Sequence, residues 1–336
     1  MTLDSQSFEM LTLYLEPIQK YLDNSNINDV VINRPHEVFI KGGSGQWEKQ
    51  AREDKLTFNH CLHLATLIAS YNSKKIPKKG FLSASLPGGE RINISVPPAC
   101  ERNTVSFTIR KQADVEKSID QLDEEGAFTQ AVSVHRGIQD FERELLALKN
   151  ELKVRQFLEM AVLKKRTILI VGVTGSGKTF IMKSLTKVIP AYERLITIED
   201  VHEVSLKSHE NKVHLFFARE EEGGEKPSPK EALAACLRME PSRILLAELR
   251  GDEAWEFIKN VGTGHGGSIT TAHAGGAWEA FEQLASLVKD SKTGAHLDIE
   301  YIKRRLYSVI DIVLFYDQKK LREIYYDPEF KQQNLA

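Results

Sequence analysis

Apolar residues recur 3, 4, 3 and 4 positions apart at Phe8, Leu11, Leu15, Ile18 and Leu22. That spacing lays one apolar stripe along a helix. Pro17 predicts a kink or a division there, because proline removes an intrahelical donor. Few basic residues flank the stripe, which favours a core-facing helix over a membrane-surface one. Residues 29–33 and 37–40 read as strands around an Arg34-Pro35-His36 turn. A second helix is predicted over 58–71. In residues 91–96 the even positions are apolar, and in 105–110 the odd ones are. Period-two alternation predicts strands buried on one face only, with Arg91 and Arg110 on the non-core faces. Pro87-Gly88-Gly89 supplies the preceding turn.

Beyond Arg110 the pattern weakens. Residues 113–150 read as a linker with helical pieces, the last over 141–148. A connection this long is unusual within one compact domain and fits a joint between two domains that move. From there, strand-like apolar runs fall at 168–171, 195–198, 213–217, 244–247, 268–272 and 309–315, mostly separated by helix-length segments. This is the signature of a largely parallel α/β sheet. Ser228-Pro229-Lys230-Glu231 marks a helix start with a capping box. The charged stretch 219–227 before it reads as a solvated loop. The organisation expected is a smaller α+β domain over 1–112, a linker over 113–150 and an α/β domain over 151–336.

Composition narrows the class. At 336 residues, 41% hydrophobic and 27% charged, the chain is an ordinary soluble globular protein with room for two cores. A formal net charge of −2 argues against a permanent grip on nucleic acid, and no stable sequence-specific binding is expected. Cys61, Cys100 and Cys236 are scattered, with no metal-ligand spacing; they read as buried, inert thiols in a reducing compartment. The start of the chain lacks the basic residues of a secretory signal, and no apolar run has the length of a membrane span. The expectation is a cytoplasmic protein that meets a membrane only peripherally.

The chemistry is concentrated in Gly172-Val173-Thr174-Gly175-Ser176-Gly177-Lys178-Thr179. It fits the phosphate-binding pattern GxxxxGK[ST] at every fixed position. Gly172, Thr174, Gly175, Ser176 and Gly177 would wrap backbone amides around phosphates. Lys178 would reach the β- and γ-phosphates of ATP, and the Thr179 hydroxyl would ligate Mg²⁺. An apolar strand enters the loop and a helix leaves it, so the helix N-terminus favours bound anions. Three further clusters stand near strand ends. The run 194–203 delivers Glu199 and Asp200, which would hold Mg²⁺ through water or orient the attacking water, or else form a helix-capping or solvated acidic pair. The run 243–251 ends its apolar stretch at Glu248, a candidate for polarising water or for a water-mediated hold on Mg²⁺. In 262–273 the glycines permit close backbone approach to a ligand, and His273 would touch the γ-phosphate; a structural role for His265 or His273 stays open. An eight-residue gap with no nearby cysteine does not suit zinc.

With these residues assembled, nearly the whole chain resembles the secretion traffic ATPases shared by type II and type IV secretion and pilus systems. The likeness is closest to the VirB-type ATPases of type IV secretion. Residues 172–179 resemble the family's Walker A, 194–203 its Asp box, 244–250 its Walker B and 262–273 its His box. Asn33-Arg34-Pro35, residues 86–91 and 108–111 resemble its N-terminal domain, and 145–161 its interdomain connector. The resemblance implies a RecA-like P-loop NTPase domain behind a smaller N-terminal domain, assembled as a homo-hexamer. Nucleotide would lie between the two domains, with a neighbouring subunit closing the site. It makes Arg91 and Arg110 candidate phosphate-contacting arginines, with Arg238 and Arg250 in family-like positions too. It implies ATP hydrolysis that powers a type IV secretion machine at the inner membrane, moving DNA or protein and building a pilus. Rival readings are a pilus-retraction or type II motor, a nucleotide-gated docking scaffold with little turnover, and a helicase or small-molecule kinase. The paired C-x-x-C motifs of the family's assembly-type members are absent, which argues against that branch.

Overall fold

The apolar stripe at the amino end forms helix α1 (Ser5–Leu22), with Pro17 inside it. Leu11, Leu15, Ile18 and Leu22 are buried, whereas Phe8 is exposed and drops out of the predicted face. Helix α2 (Phe58–Tyr71) begins where Thr57 Oγ1 accepts the His60 amide at 3.2 Å. Both helices cover one face of a six-stranded sheet. Its strands are β1 (Ile27–Ile32), β2 (Phe39–Gly42), β3 (Trp47–Lys49), β4 (Phe81–Ser85), β5 (Arg91–Ser95) and β6 (Ser106–Arg110), in the order β3-β2-β1-β6-β5-β4, every neighbouring pair antiparallel. The computed structural model describes residues 5–112, 117–133, 137–219 and 225–335. Parts of the predicted linker (113–116 and 134–136) and of the predicted solvated loop (220–224) lie outside them.

Period-two alternation predicts one buried face, and here the sheet departs from it. Ile92, Ile94, Phe107 and Ile109 enter the helix-covered core as expected. Ser95, Ser106 and Thr108 on the opposite face are also buried. The cause is a second layer. Arg194, fully buried in the C-terminal half, stacks 5.6 Å from the Trp47 ring and reaches Thr108 Oγ1 at 3.5 Å. Its guanidinium also donates to Asn33 Oδ1, to Asn211 Oδ1 at 2.6 Å and to the Met239 carbonyl at 2.8 Å. The small polar side chains of β6 suit a layer that must receive a guanidinium rather than oil. Arg91 and Arg110 stay exposed at the strand ends.

Helices α3 (Ile119–Glu124) and α4 (Asp140–Asn150) lie in the predicted linker. α4 is not free-standing. Its Leu145 is buried with Phe157, Ile168 and Tyr326 in one core, and Lys149 Nζ donates to the Tyr326 carbonyl at 2.8 Å. The second sheet comprises β7 (Ile168–Val171), β8 (Leu195–Glu199), β9 (Lys212–Phe216), β10 (Arg243–Leu249), β11 (Ile269–Ala272), β12 (Ile312–Asp317) and β13 (Lys320–Tyr326), ordered β13-β12-β7-β11-β10-β8-β9. All neighbours are parallel except the β12–β13 hairpin. The surrounding helices are α5 (Val154–Leu163), α6 (Lys178–Thr186), α7 (Pro229–Cys236), α8 (Glu253–Val261), α9 (Glu279–Asp290), α10 (Ile299–Val309) and α11 (Pro328–Leu335). The predicted capping box opens α7: Ser228 Oγ accepts the Glu231 amide at 3.2 Å, and Glu231 Oε2 accepts the Ser228 amide at 2.8 Å. The run predicted as a strand over 309–315 divides, with Val309 ending α10 and β12 starting at Ile312.

At the β9 edge, Phe216 N–H donates to the Ala99 carbonyl at 2.8 Å, and Cys100 bridges Leu215. At the other edge, β13 carries Lys320, Arg322 and Glu323 outward. All three cysteines are buried, and burial pushes the Cys61 and Cys100 thiols up to about 12 and Cys236 higher still. This agrees with the expectation of inert thiols.

Arg194 is the main polar tie between the layers. Replacing it by methionine keeps the stem but strands the Asn33 oxygen and leaves Asn211 Oδ1 only its bond from Asn33 Nδ2 at 3.0 Å. We expect Arg194→Met to lose about 2–4 kcal/mol in urea unfolding. A loss below about 0.5 kcal/mol would show that the interface does not depend on this network.

Candidate functional site

The phosphate-type loop runs from Gly172 to Thr179, between the end of β7 and the first turn of α6. Three glycines take left-handed backbone: Gly172 at φ 150°, Gly175 at 76° and Gly177 at 102°. At Gly172 a Cβ would lie 2.1 Å from the Tyr316 carbonyl oxygen and 2.6 Å from Ser176 Oγ. The loop is therefore pinned against β12, and the turn beyond β12 pins it again. Gln318 and Lys319 both have positive φ, as a two-residue hairpin turn requires. Lys319 N–H donates to the Ser176 carbonyl at 2.9 Å.

Lys178 is buried, and its ammonium donates to the carbonyls of Gly172 at 2.7 Å and Val173 at 3.0 Å. Burial lowers its pKa below the ordinary lysine value; Glu248 opposes that shift and Arg250 adds to it. These two residues end β10 and follow it, so the charge of Walker B acts directly on the loop lysine. Glu248 Oε1 lies 2.6 Å from His273 Nε2, and Arg250 pairs with Glu248 Oε2. The register explains the meeting: β10 and β11 are parallel neighbours with Leu249 opposite Ala272, one residue before His273. Thr271 Oγ1 donates to the Ala247 carbonyl at 2.6 Å and locks the two strand ends together.

Glu199 behaves differently. It ends β8, which lies three strands away from β7, beyond β11 and β10. Three inter-strand spacings put it about 14 Å from the phosphate-loop strand. Its side chain is fully buried, and both oxygens are engaged. Oε2 accepts the amides of Glu203 at 2.8 Å and Val204 at 2.7 Å; Oε1 accepts Thr197 Oγ1 at 2.6 Å. Burial alone would push its pKa up, but His214, Thr197 and the two amides outweigh burial and hold it below the ordinary glutamate value. In this structure Glu199 folds the Asp-box segment. Of the two glutamates, Glu248 is the one whose charge acts on Lys178. Asp200 Oδ1 accepts the Val201 amide at 2.9 Å, and Asp200 lines a cavity with His202 and Lys226 on the β9 side.

The stretch 262–273 also divides. His273 sits at the carboxyl edge beside Glu248, while Gly267 and its neighbours precede β11 and pack against Lys165 and Arg243 at the amino edge. His265 belongs to that far edge, near Glu240. The same edge holds the two N-terminal arginines. Arg110 Nη1 pairs with Glu240 Oε1 at 2.6 Å, and Arg91, Arg110, Arg238 and Glu240 line one cavity of about 300 Å³. Arg91 and Arg110 therefore lie at the opposite end of the parallel sheet from Lys178.

Two positioning residues escaped the sequence reading. Glu253 Oε1 accepts the amides of Arg250 at 2.8 Å and Gly251 at 3.2 Å, fixing the turn that presents Arg250. Its signal was an acidic residue in the first turn of a helix after an apolar strand. Lys319 gave no signal, since Gln318-Lys319 lacks the glycine usual in such turns.

The residues suit a nucleotide. The loop offers glycine-shaped backbone, a buried lysine, a helix N-terminus and a buried Ser176 hydroxyl without a partner. Gly172→Ala would drive a methyl into the Tyr316 carbonyl and displace the loop. We expect it to weaken ATP binding roughly tenfold or more in a fluorescent-nucleotide titration. Wild-type affinity would mean that the loop is not held by β12.

The family described as Type II/IV secretion system protein matches residues 13–316. The type IV secretion system protein VirB11 of Brucella suis is 42% identical over 332 residues, covering 96% of this chain and 91% of the relative. PtlH of Bordetella pertussis, also a type IV secretion system protein, is 38% identical over 313 residues, covering 91% of this chain and 90% of the relative. The crystal structure of the VirB11 ATPase from the Brucella suis type IV secretion system, in complex with sulphate, matches with a TM-score of 0.91 at 40% identity and covers 98% of each chain. These likenesses run through both sheets and all four motifs, so the chain belongs to the type II/IV secretion ATPase family, as a VirB11-type traffic ATPase of type IV secretion that binds nucleotide and hydrolyses ATP.

Proposed function

We propose that this chain is the ATP-hydrolysing subunit of a homo-hexameric ring that drives a type IV secretion machine from the cytoplasmic side of the inner membrane. The observation that carries the site assignment is the meeting of Lys178, Glu248, Arg250 and His273 at one sheet edge. The loop amides from Gly172 to Gly177, with Thr174, Gly175 and Ser176 between them, hold the phosphates, and Lys178 turns from its loop carbonyls toward the β- and γ-oxygens. Thr179 would hold Mg²⁺ and Glu248 would reach it directly or through water; bound there, the ion would neutralise charge on the phosphates, while Asp200, on the β9 side, stands outside that shell. Glu248 accepts the proton of the attacking water, and His273, 2.6 Å from it, registers the γ-phosphate. Glu199 acts one step back, by holding the segment that carries Asp200. The sulphate in the Brucella suis relative fits a fold that receives tetrahedral anions.

Arg91 and Arg110 stand too far along the sheet to reach the phosphates of their own protomer. In a ring they meet the nucleotide of a neighbouring subunit, so the N-terminal domain of one copy closes the site of the next. Binding and loss of nucleotide would then rock the N-terminal domains about the connecting segment. Among the described residues no helix is long and apolar enough to cross a membrane, which fits docking against membrane components of the machine rather than insertion.

Two experiments test this reading. Glu248→Gln is expected to keep ATP binding and lower kcat by about 10²–10³-fold, whereas Lys178→Ala loses binding as well. Turnover near wild type in either would remove the site assignment. Light scattering with ATP and Mg²⁺ should find a six-subunit mass. Mixing inactive Lys178→Ala protein with inactive Arg91→Ala/Arg110→Ala protein should recover turnover; failure to recover it in mixed hexamers would exclude a shared site.

A further inference from the structure

Beyond β8 the chain doubles back, and His202 comes to rest over β9. Its ring stacks on that of His214, with centroids 4.4 Å apart and planes 33° from parallel. Glu101, from the segment after β5 that covers the β9 edge, brings an Oε1 to 3.8 Å from His202 Nδ1. The three side chains come from three separate segments. Each offers one ligand atom, and these atoms all lie within 4.8 Å of one another.

The innermost residue is prepared for a metal. His214 is buried, and its Nδ1 lies 2.8 Å from Thr197 Oγ1 and 3.4 Å from Glu199 Oε1. A hydroxyl and a carboxylate on that side fix the ring and leave Nε2 for a ligand. This is the outer-shell arrangement that orients metal-bound imidazoles. Metal–ligand bonds of about 2.0–2.2 Å require ligand atoms roughly 3.5 Å apart, so closure needs shifts of about 1 Å. His202 is exposed and Glu101 half-buried, so both can turn that far. The cavity on the outer side, about 580 Å³ and lined by Pro97, His202, Phe216 and Lys226, leaves room for a water as fourth ligand. Two carboxylates, Glu101 in contact and Glu199 behind His214, balance a divalent charge. Two imidazoles and one carboxylate select a borderline ion such as Zn²⁺ and disfavour Mg²⁺, which prefers oxygen.

We propose that Glu101, His202 and His214 form a binding site for a divalent transition metal of the Zn²⁺ class, separate from the nucleotide's ion. The site joins the N-terminal sheet's connecting segment to the Asp box. An ion there would clamp the two halves together at the segment that Glu199 anchors. That makes it a means of holding the N-terminal layer in one position.

The test uses full-length protein without an affinity tag. Equilibrium dialysis against Zn²⁺ in excess Mg²⁺, with metal counted by atomic emission, should find one Zn²⁺ per chain. Substitution by Co²⁺ should give the visible ligand-field bands of a four- or five-coordinate site. Glu101→Gln and His202→Ala, both at accessible positions, should each weaken Zn²⁺ binding at least tenfold. Circular dichroism confirms that each variant is folded. Zn²⁺ should also raise the melting temperature of the wild type and not of His202→Ala. Absence of stoichiometric binding at micromolar Zn²⁺, or equal binding by folded wild-type and variant proteins, would overturn the proposal. Neither result bears on the Lys178 and Glu248 assignments.

Discussion

In a parallel sheet every strand ends on the same edge, so the segments following β7, β8, β10 and β11 are forced to meet there. That constraint organises the chemistry. The lateral order β7-β11-β10-β8 then grades the four segments by distance from the phosphate loop. His273 is one strand away, Glu248 two and Glu199 three. Side-chain reach covers the first two gaps. The third is left to a residue whose oxygens are already taken by Thr197, Glu203 and Val204. Nearness to the phosphate loop and scaffolding are thereby divided between two glutamates that look alike in sequence.

The amino edge has a different task. There Arg110, Lys41 and Glu240 form one charge cluster around the buried Asp29, and Arg194 enters the N-terminal sheet a short distance away. Arg194 meets amide, hydroxyl and carbonyl oxygens rather than a carboxylate. Burial pulls its pKa down to about 9, which still leaves it charged near neutrality. A guanidinium satisfied by neutral acceptors binds through geometry more than through charge. Arg194 immediately precedes β8, whose other end carries Glu199. One short strand thus connects the N-terminal layer to the Asp box.

The four motifs were legible because each is a fixed local arrangement, and both helices of the N-terminal layer followed from spacing. Lateral strand order was not legible, since nothing in a sequence says that β11 inserts between β7 and β10. For that reason Glu199 and Glu248 could not be ranked, and the glycines of 262–267 were assigned to the same edge as His273. β3, β4 and β13 were missed because each is short or charged and takes its shape from a hairpin partner. Burial of Ser95, Ser106 and Thr108 was hidden for a related reason: polar residues read as solvent-facing until the layer that covers them is known. Leu145 was read as connector because a single amphipathic turn does not reveal which core receives it.

The two outer strands of the C-terminal sheet are both unavailable for further pairing. On one side the chain's own Ala99 and Cys100 occupy the Phe216 amide and the Leu215 position. On the other, Lys320, Arg322 and Glu323 crowd β13 with charge, which discourages a foreign strand. Neither edge of this sheet therefore invites a second copy to continue its backbone ladder. Any contact made there would run through side-chain surfaces, which can slide and re-form, where a shared ladder would weld the partners.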